Sequence, residues 1–209
     1  MHFSTALAAI LSGASLASAH FSVIYPWWRG DSFKTQWTYP CGGVNQSISN
    51  NNRTLWPLDG GAIVFHGSHP WAQTYVNMGL GNNVTSLKVP LVPPFNQTGK
   101  GTFCFPHVHI PDEVKPNITE GGNATLQVIQ LSTTGGALYN CMDITFSSKA
   151  KNPESNVCFN STGVGAANLD YPDVVPEPKT TTTAGADTLK SSMGAMAAVV
   201  AAGMAVLFA

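Results

Sequence analysis

Charged side chains are scarce in this chain: 10 Lys and Arg stand against 11 Asp and Glu in 209 residues, for a net charge of −1. So little charge supplies neither the basic stripe that gathers phosphates nor the polybasic cluster that holds an anionic membrane surface. Nucleic acid and lipid headgroups are therefore set aside as partners. Cysteine is also sparse, with four residues and no Cys-x-x-Cys, which argues against a zinc ribbon or a thioredoxin-like site. No helical periodicity extends beyond a turn or two. The chain is filled instead by short runs of Val, Ile, Thr and aromatic residues, separated by the Gly, Pro and Asn clusters of hairpins and loops.

Those runs predict strands at His20 to Tyr25, Gly61 to His66, Thr74 to Met78, Thr102 to Phe105, Ala124 to Gln130 and Asn140 to Phe146. Short strands, frequent turns and four cysteines predict an all-β fold, an antiparallel immunoglobulin-like or fibronectin-like β-sandwich with two disulfides. Cys41, Cys104, Cys141 and Cys158 allow three connectivities. The pairing expected is Cys104 with Cys141, joining two central strands, and Cys41 with Cys158, stapling the start of the domain to its end.

Both ends read as addresses. Phe3 to Leu16 is apolar or small and uncharged, too short to span a bilayer, and is followed by the small-x-small signal Ala17-Ser18-Ala19. Residues 1–19 are thus expected to be a removed signal peptide. Met193 to Ala209 is another uncharged apolar run, preceded by a polar spacer and by Ala184, Gly185 and Ala186. That order reads as a glycosylphosphatidylinositol (GPI) attachment signal over 185–209, with attachment among those three small residues. Between the ends lie a folded domain at 20–168 and a Pro- and Thr-rich stalk at 169–184. Seven Asn-x-Ser/Thr sequons, at Asn45, Asn52, Asn83, Asn96, Asn117, Asn123 and Asn160, agree with a secretory route and mark expected surface loops. The location expected is the extracellular face of the plasma membrane or the cell wall, and the state expected is a monomer.

Cleavage after Ala19 makes His20 the first residue of the mature chain. An N-terminal histidine offers one ion both its α-amino nitrogen and its ring Nδ1, a chelate closed to internal histidines. One further imidazole completes three nitrogens, which suits Cu(II). Candidates for that imidazole are His69, followed by Pro70 where a strand has ended, and His66, three residues earlier. His107 and His109 form a His-x-His pair that on a strand would share one face, with a hydrogen-bonded surface pair as the plainer reading.

Several further segments fall in a telling order. His20-Phe21 with Tyr25-Pro26 and Arg29-Gly30 comes first, then Cys41-Gly42-Gly43, then His69-Pro70 with Val76 to Gly81, and finally Asn140 to Phe146. With both termini, this order resembles the X325 family, fungal and commonly GPI-anchored copper-binding proteins similar to lytic polysaccharide monooxygenases. The resemblance implies a β-sandwich holding one Cu(II) per chain through His20, His69 and Asp143. His69 is preferred to His66 because His-Pro matches the family pattern.

Two main function classes follow from it. One is a cell-surface copper-binding protein serving acquisition or homeostasis without cleaving polysaccharide, handing the metal to a membrane copper importer. The other is a copper-dependent polysaccharide monooxygenase. Such enzymes usually carry Gln-x-Tyr on the last core strand, where this chain has Asp143-Ile144-Thr145, and a carboxylate ligand would fill a position that oxygen needs. The first class is therefore expected. A structural cell-wall glycoprotein is a further alternative, and it leaves an N-terminal histidine without a role.

Overall fold

A computed structural model describes residues 20–46, 53–132 and 135–169. The expected signal peptide, the GPI signal and all of the stalk but Leu169 lie outside the described residues. Within them the chain forms ten strands: β1 (Phe21–Tyr25), β2 (Thr54–Trp56), β3 (Gly60–Gly67), β4 (Trp71–Leu80), β5 (Val89–Pro90), β6 (Phe95–Thr98), β7 (Gly101–His109), β8 (Asn123–Ser132), β9 (Ala137–Phe146) and β10 (Gly165–Asn168). The helical element among the described residues is one 3-10 turn at Lys115–Asn117.

The strands make two sheets, one ordered β1-β3-β7 and one ordered β10-β6-β4-β8-β9-β2, with β5 paired to β4. Pairing is antiparallel except for β2, which runs parallel to β9. This is the expected all-β sandwich with two disulfides. The period of two that builds it is plain in β4, where Ala72, Thr74, Val76 and Met78 are buried while Trp71, Gln73, Tyr75 and Asn77 are half-buried. The six expected strands are all present. β2, β5, β6 and β10 complete the sheets.

The apolar interior lies between the sheets. Phe21, Val23, Ile63, Phe65 and Phe103 meet Val76, Met78, Leu126, Val128, Met142, Ile144 and Phe146 there. Phe65 and Phe95 each stack on Phe103, with ring centroids 5.2 and 5.5 Å away. Trp56 is fully buried, and its indole Nε1 donates to the Ala62 carbonyl at 3.1 Å. Toward the β1 end the interior changes character. Gln36, Thr74, Gln97, Gln130 and Asn140 are all buried, a polar plug at one end of an otherwise oily layer.

The disulfides are Cys41–Cys141 and Cys104–Cys158, with Cα atoms 5.1 and 5.3 Å apart, so the expected pairing is corrected. Strand periodicity explains the difference. Phe103 and Met142 point into the core, so Cys104 on β7 and Cys141 on β9 point away from it, on opposite outer faces of the sandwich. The whole core separates them. Each cysteine is instead met by the segment that covers its own face.

The sequons are mostly on the surface, as expected. Asn45, Asn83, Asn117 and Asn160 are exposed, whereas Asn96 on β6 and Asn123 on β8 are half-buried strand residues, and Asn52 lies outside the described residues.

Candidate metal centre

The position of His20 follows from how β1 enters the small sheet. Phe21 pairs with Gly67, and one residue further out the Ser68 hydroxyl donates to the His20 carbonyl at 2.5 Å. His69 is therefore adjacent in sequence to the residue that grips His20. It is only 5 % exposed, and its Nε2 is buried with no hydrogen-bond partner. A buried imidazole nitrogen without a partner is costly, and a lone pair left open in this way suits a metal ion.

His66 differs in every respect. It pairs with Ser22 on β3 and is exposed. Of the two internal candidates, His69 has the shielded nitrogen and His66 stands in solvent.

The backbone just after His20 is held on both sides. The side chain of Gln36 accepts from the Phe21 N–H at 3.1 Å and donates to the Phe21 carbonyl at 2.7 Å. Asn140 Nδ2 donates to the same carbonyl at 2.9 Å, and its Oδ1 accepts from the Ser32 hydroxyl at 2.6 Å. Gln36, Asn140 and Ser32 are at most 1 % exposed, so these bonds face no competition from water. The His20 ring lies 5.4 Å, centroid to centroid, from Phe33, which in turn meets Trp28 edge-on at 5.9 Å. His20 is thus followed by backbone fixed by buried amides and flanked by aromatics. These partners were not read from the sequence. The available signal was Asn140 itself, an amide among the otherwise apolar core-facing residues of β9.

Asp143, the third ligand implied by the resemblance, is engaged elsewhere. It lies on the outer face of β9 with Cys141, where Arg29 Nε meets its Oδ2 at 2.8 Å and Arg29 Nη2 meets its Oδ1 at 2.9 Å. Oδ1 also accepts from Gln46 Nε2 at 2.6 Å and from the Thr125 hydroxyl at 2.8 Å. Burial alone pushes this carboxyl up. The hydrogen bonds and charge of Arg29, the Thr125 hydroxyl and the charge of Arg53 outweigh burial and hold it below the usual carboxylate range. Among the described residues no three His, Cys, Asp or Glu side chains converge, so Asp143 is not gathered with His20 and His69. What was legible as an acidic side chain beside a cysteine is a buried ion pair that ties the 29–46 segment to the large sheet.

His107 and His109 stand at the far end of β7, apart from this centre. Their rings are in contact, 4.3 Å between centroids.

Comparison with known proteins adds a family. Residues 18–163 match the model of the BIM1-like copper acquisition factor domain. The chain is 43 % identical over 187 residues to the lytic polysaccharide monooxygenase-like protein ham-7 of Neurospora crassa, with 76 % of this chain and 79 % of the relative covered. A lytic polysaccharide monooxygenase-like protein of Emericella nidulans is 36 % identical over 197 residues, covering 76 % of this chain and 79 % of its own. The X325 protein of that kind in Aspergillus fumigatus is 37 % identical over 194 residues, covering 75 % and 78 %. No solved structure matches.

Proposed function

The chain belongs to the BIM1-like copper acquisition factor family, and from that premise we propose that it captures Cu(II) at the cell surface through a nitrogen chelate of His20 and His69. The observation that carries this reading is the buried, unpartnered Nε2 of His69, one residue from the serine that holds His20. Once the chain is cut before His20, that residue contributes its amine and Nδ1, and His69 contributes the third nitrogen. Nitrogen-rich, tetragonal sets favour Cu(II) over the other divalent first-row ions.

Gln36 and Asn140 hold the peptide beyond His20 so that the chelate is formed with little ordering cost. Asp143 stays with Arg29 in this reading and does not ligate. The role that fits is acquisition and homeostasis: the protein takes up one Cu(II) at this centre and passes it to a membrane importer, without cleaving polysaccharide. A GPI anchor on Ala184, Gly185 or Ala186 keeps it, as a glycosylated monomer, at the outer face of the plasma membrane or in the wall. Release of the protein from cells by a phosphatidylinositol-specific phospholipase tests the anchor.

The site is tested by titrating Cu(II) into the chain starting at His20 and into a control with one alanine added before it. Tight binding with a nitrogen-rich axial electron paramagnetic resonance spectrum is expected in the first, and its loss in the second and in His69→Ala. Unchanged binding in the alanine-extended control would refute the N-terminal chelate.

The relatives' names favour a second reading, an oxidative enzyme acting on polysaccharide. Trp27, Trp37 and Tyr39 are more than half exposed on the 26–46 segment, where sugar rings would stack. Oxidised oligosaccharides released in the presence of a reductant would establish it.

A further inference from the structure

The His-x-His pair of β7 has no part in the centre at His20. Register fixes its orientation. Val108 is 1 % exposed in the core and pairs with Gly61, so His107 and His109 on either side of it point to the outer face of the small sheet. The irregularity between Gly61 and Ile63 restores this alternation after Phe105, which also packs on the core. The two rings contact each other at 4.3 Å with an interplanar angle of 70°.

The plainer reading was a hydrogen-bonded surface pair. Among the described residues, however, neither ring takes part in a hydrogen bond or an ion pair. The strand opposite carries no side chain beside His109. His109 pairs with Gly60, and a Cβ there would sit 2.0 Å from the Val108 carbonyl oxygen at a φ of +112°, so no side chain is tolerated opposite His109. Two imidazoles, His109 exposed and His107 half-buried, are thus held together on one strand with their nitrogens unclaimed.

We propose that His107 and His109 form a second metal site, a bidentate imidazole chelate for a late first-row divalent ion. The absence of carboxylate from the pair argues against Ca(II) and Mg(II), which need oxygen ligands. Imidazole suits Cu(II), Ni(II) and Zn(II), and the order of intrinsic affinities places Cu(II) ahead. Two nitrogens and water bind more weakly than three nitrogens, so this site fills after the N-terminal one. Gly61 pairs with Val108, between the two imidazoles, and Ser68, seven residues further along and just past β3, holds His20. At about 3.3 Å per residue the two sites stand roughly 23 Å apart. The pair therefore belongs to a separate face of the molecule, and it does not depend on the reading given to His20.

The test is a Cu(II) titration of four chains beginning at the same point: the unmodified chain, the alanine-extended chain, His107→Ala/His109→Ala, and the combination of both changes. Expected are two equivalents in the unmodified chain, with the weaker one lost in the double variant and kept in the alanine-extended chain. The combination should bind none. Pulsed dipolar resonance on the doubly loaded unmodified chain should give a copper to copper distance of roughly 23 Å. Far-ultraviolet circular dichroism identical among the four chains confirms that the substitutions leave the fold intact. A second equivalent that survives His107→Ala/His109→Ala, or a single equivalent in the unmodified chain, would overturn the proposal. If instead the alanine extension changes nothing while the double variant loses an equivalent, the reading of His20 fails and the β7 site stands.

Discussion

Both carboxylate oxygens of Asp143 are committed to donors, and its partner Arg29 is as deeply placed, with side chains 10 % and 8 % exposed. Asp143→Asn leaves the guanidinium buried without its counter-charge, and a loss of about 3–5 kcal/mol is expected for breaking such a pair. The pH dependence follows from the direction of the shift. The carboxyl is depressed in the folded protein, so its contribution is fully present above the unfolded value of about 3.9 and is lost as pH falls through the folded value. Urea midpoints of the two proteins should accordingly differ widely at neutral pH and converge in acid. A gap that stayed constant down to pH of about 2 would contradict the assignment. Asn140 acts differently, through the Phe21 carbonyl. Asn140→Leu should cost about 1–3 kcal/mol in stability, weaken Cu(II) binding and alter the resonance spectrum, whereas Asn140→Gln should partly restore both. At this scale His20 and His69 could be singled out as candidates, because a cleavage motif and a His-Pro step are local. Arg29 beside Asp143 was not, since 114 residues separate the two.

The elements were legible in proportion to how much of their stability is local. β4, β8 and β9 are ten residues each, rich in strand formers and mutually paired, and their runs stood out. β10 is Gly-Ala-Ala-Asn and β2 is three residues long. Both are strands because an established edge captures them, β6 in one case and β9 in the other. Disulfide pairing escaped for the reason already given, that outer and inner faces alternate. The bond Cys41–Cys141 clamps the 29–46 segment, which carries Gln36, Phe33 and Arg29, onto β9 across a sequence separation of 100. Cys41→Ala/Cys141→Ala should lower stability by about 2–5 kcal/mol. It should also weaken Cu(II) binding at the N-terminal centre and leave the β7 pair unaffected, which a titration of the variant reads directly.

For the whole molecule, the two sheets divide the labour between an apolar middle and a polar end. Composition disclosed the class of fold, yet only the folded arrangement places the amide cluster under His20. Binding to the native state alone should raise stability by about 2.7 kcal/mol when free copper is 100 times the dissociation constant. For a domain of about 150 residues that corresponds to a melting shift of roughly 5–11 °C. Differential scanning calorimetry should show the shift in the chain that starts at His20. The alanine-extended chain should show a much smaller one.

The grip on Phe21 also sets an order of events. Its N–H and carbonyl are both held by buried amides, and the Ser68 hydroxyl holds the carbonyl of His20. A peptidase that removes residues 1–19 needs the chain around the scissile bond extended and free. Once β1 has docked, the residues on the carboxyl side of that bond are no longer available to it. If His20 is the mature terminus, as proposed, processing has to precede closure of the sandwich, and a chain that folds first would be trapped as a precursor with an amide where the metal needs an amine. Maturation would then be a race between a protease and a strand, and the proposed metal site would exist only in molecules where the protease wins.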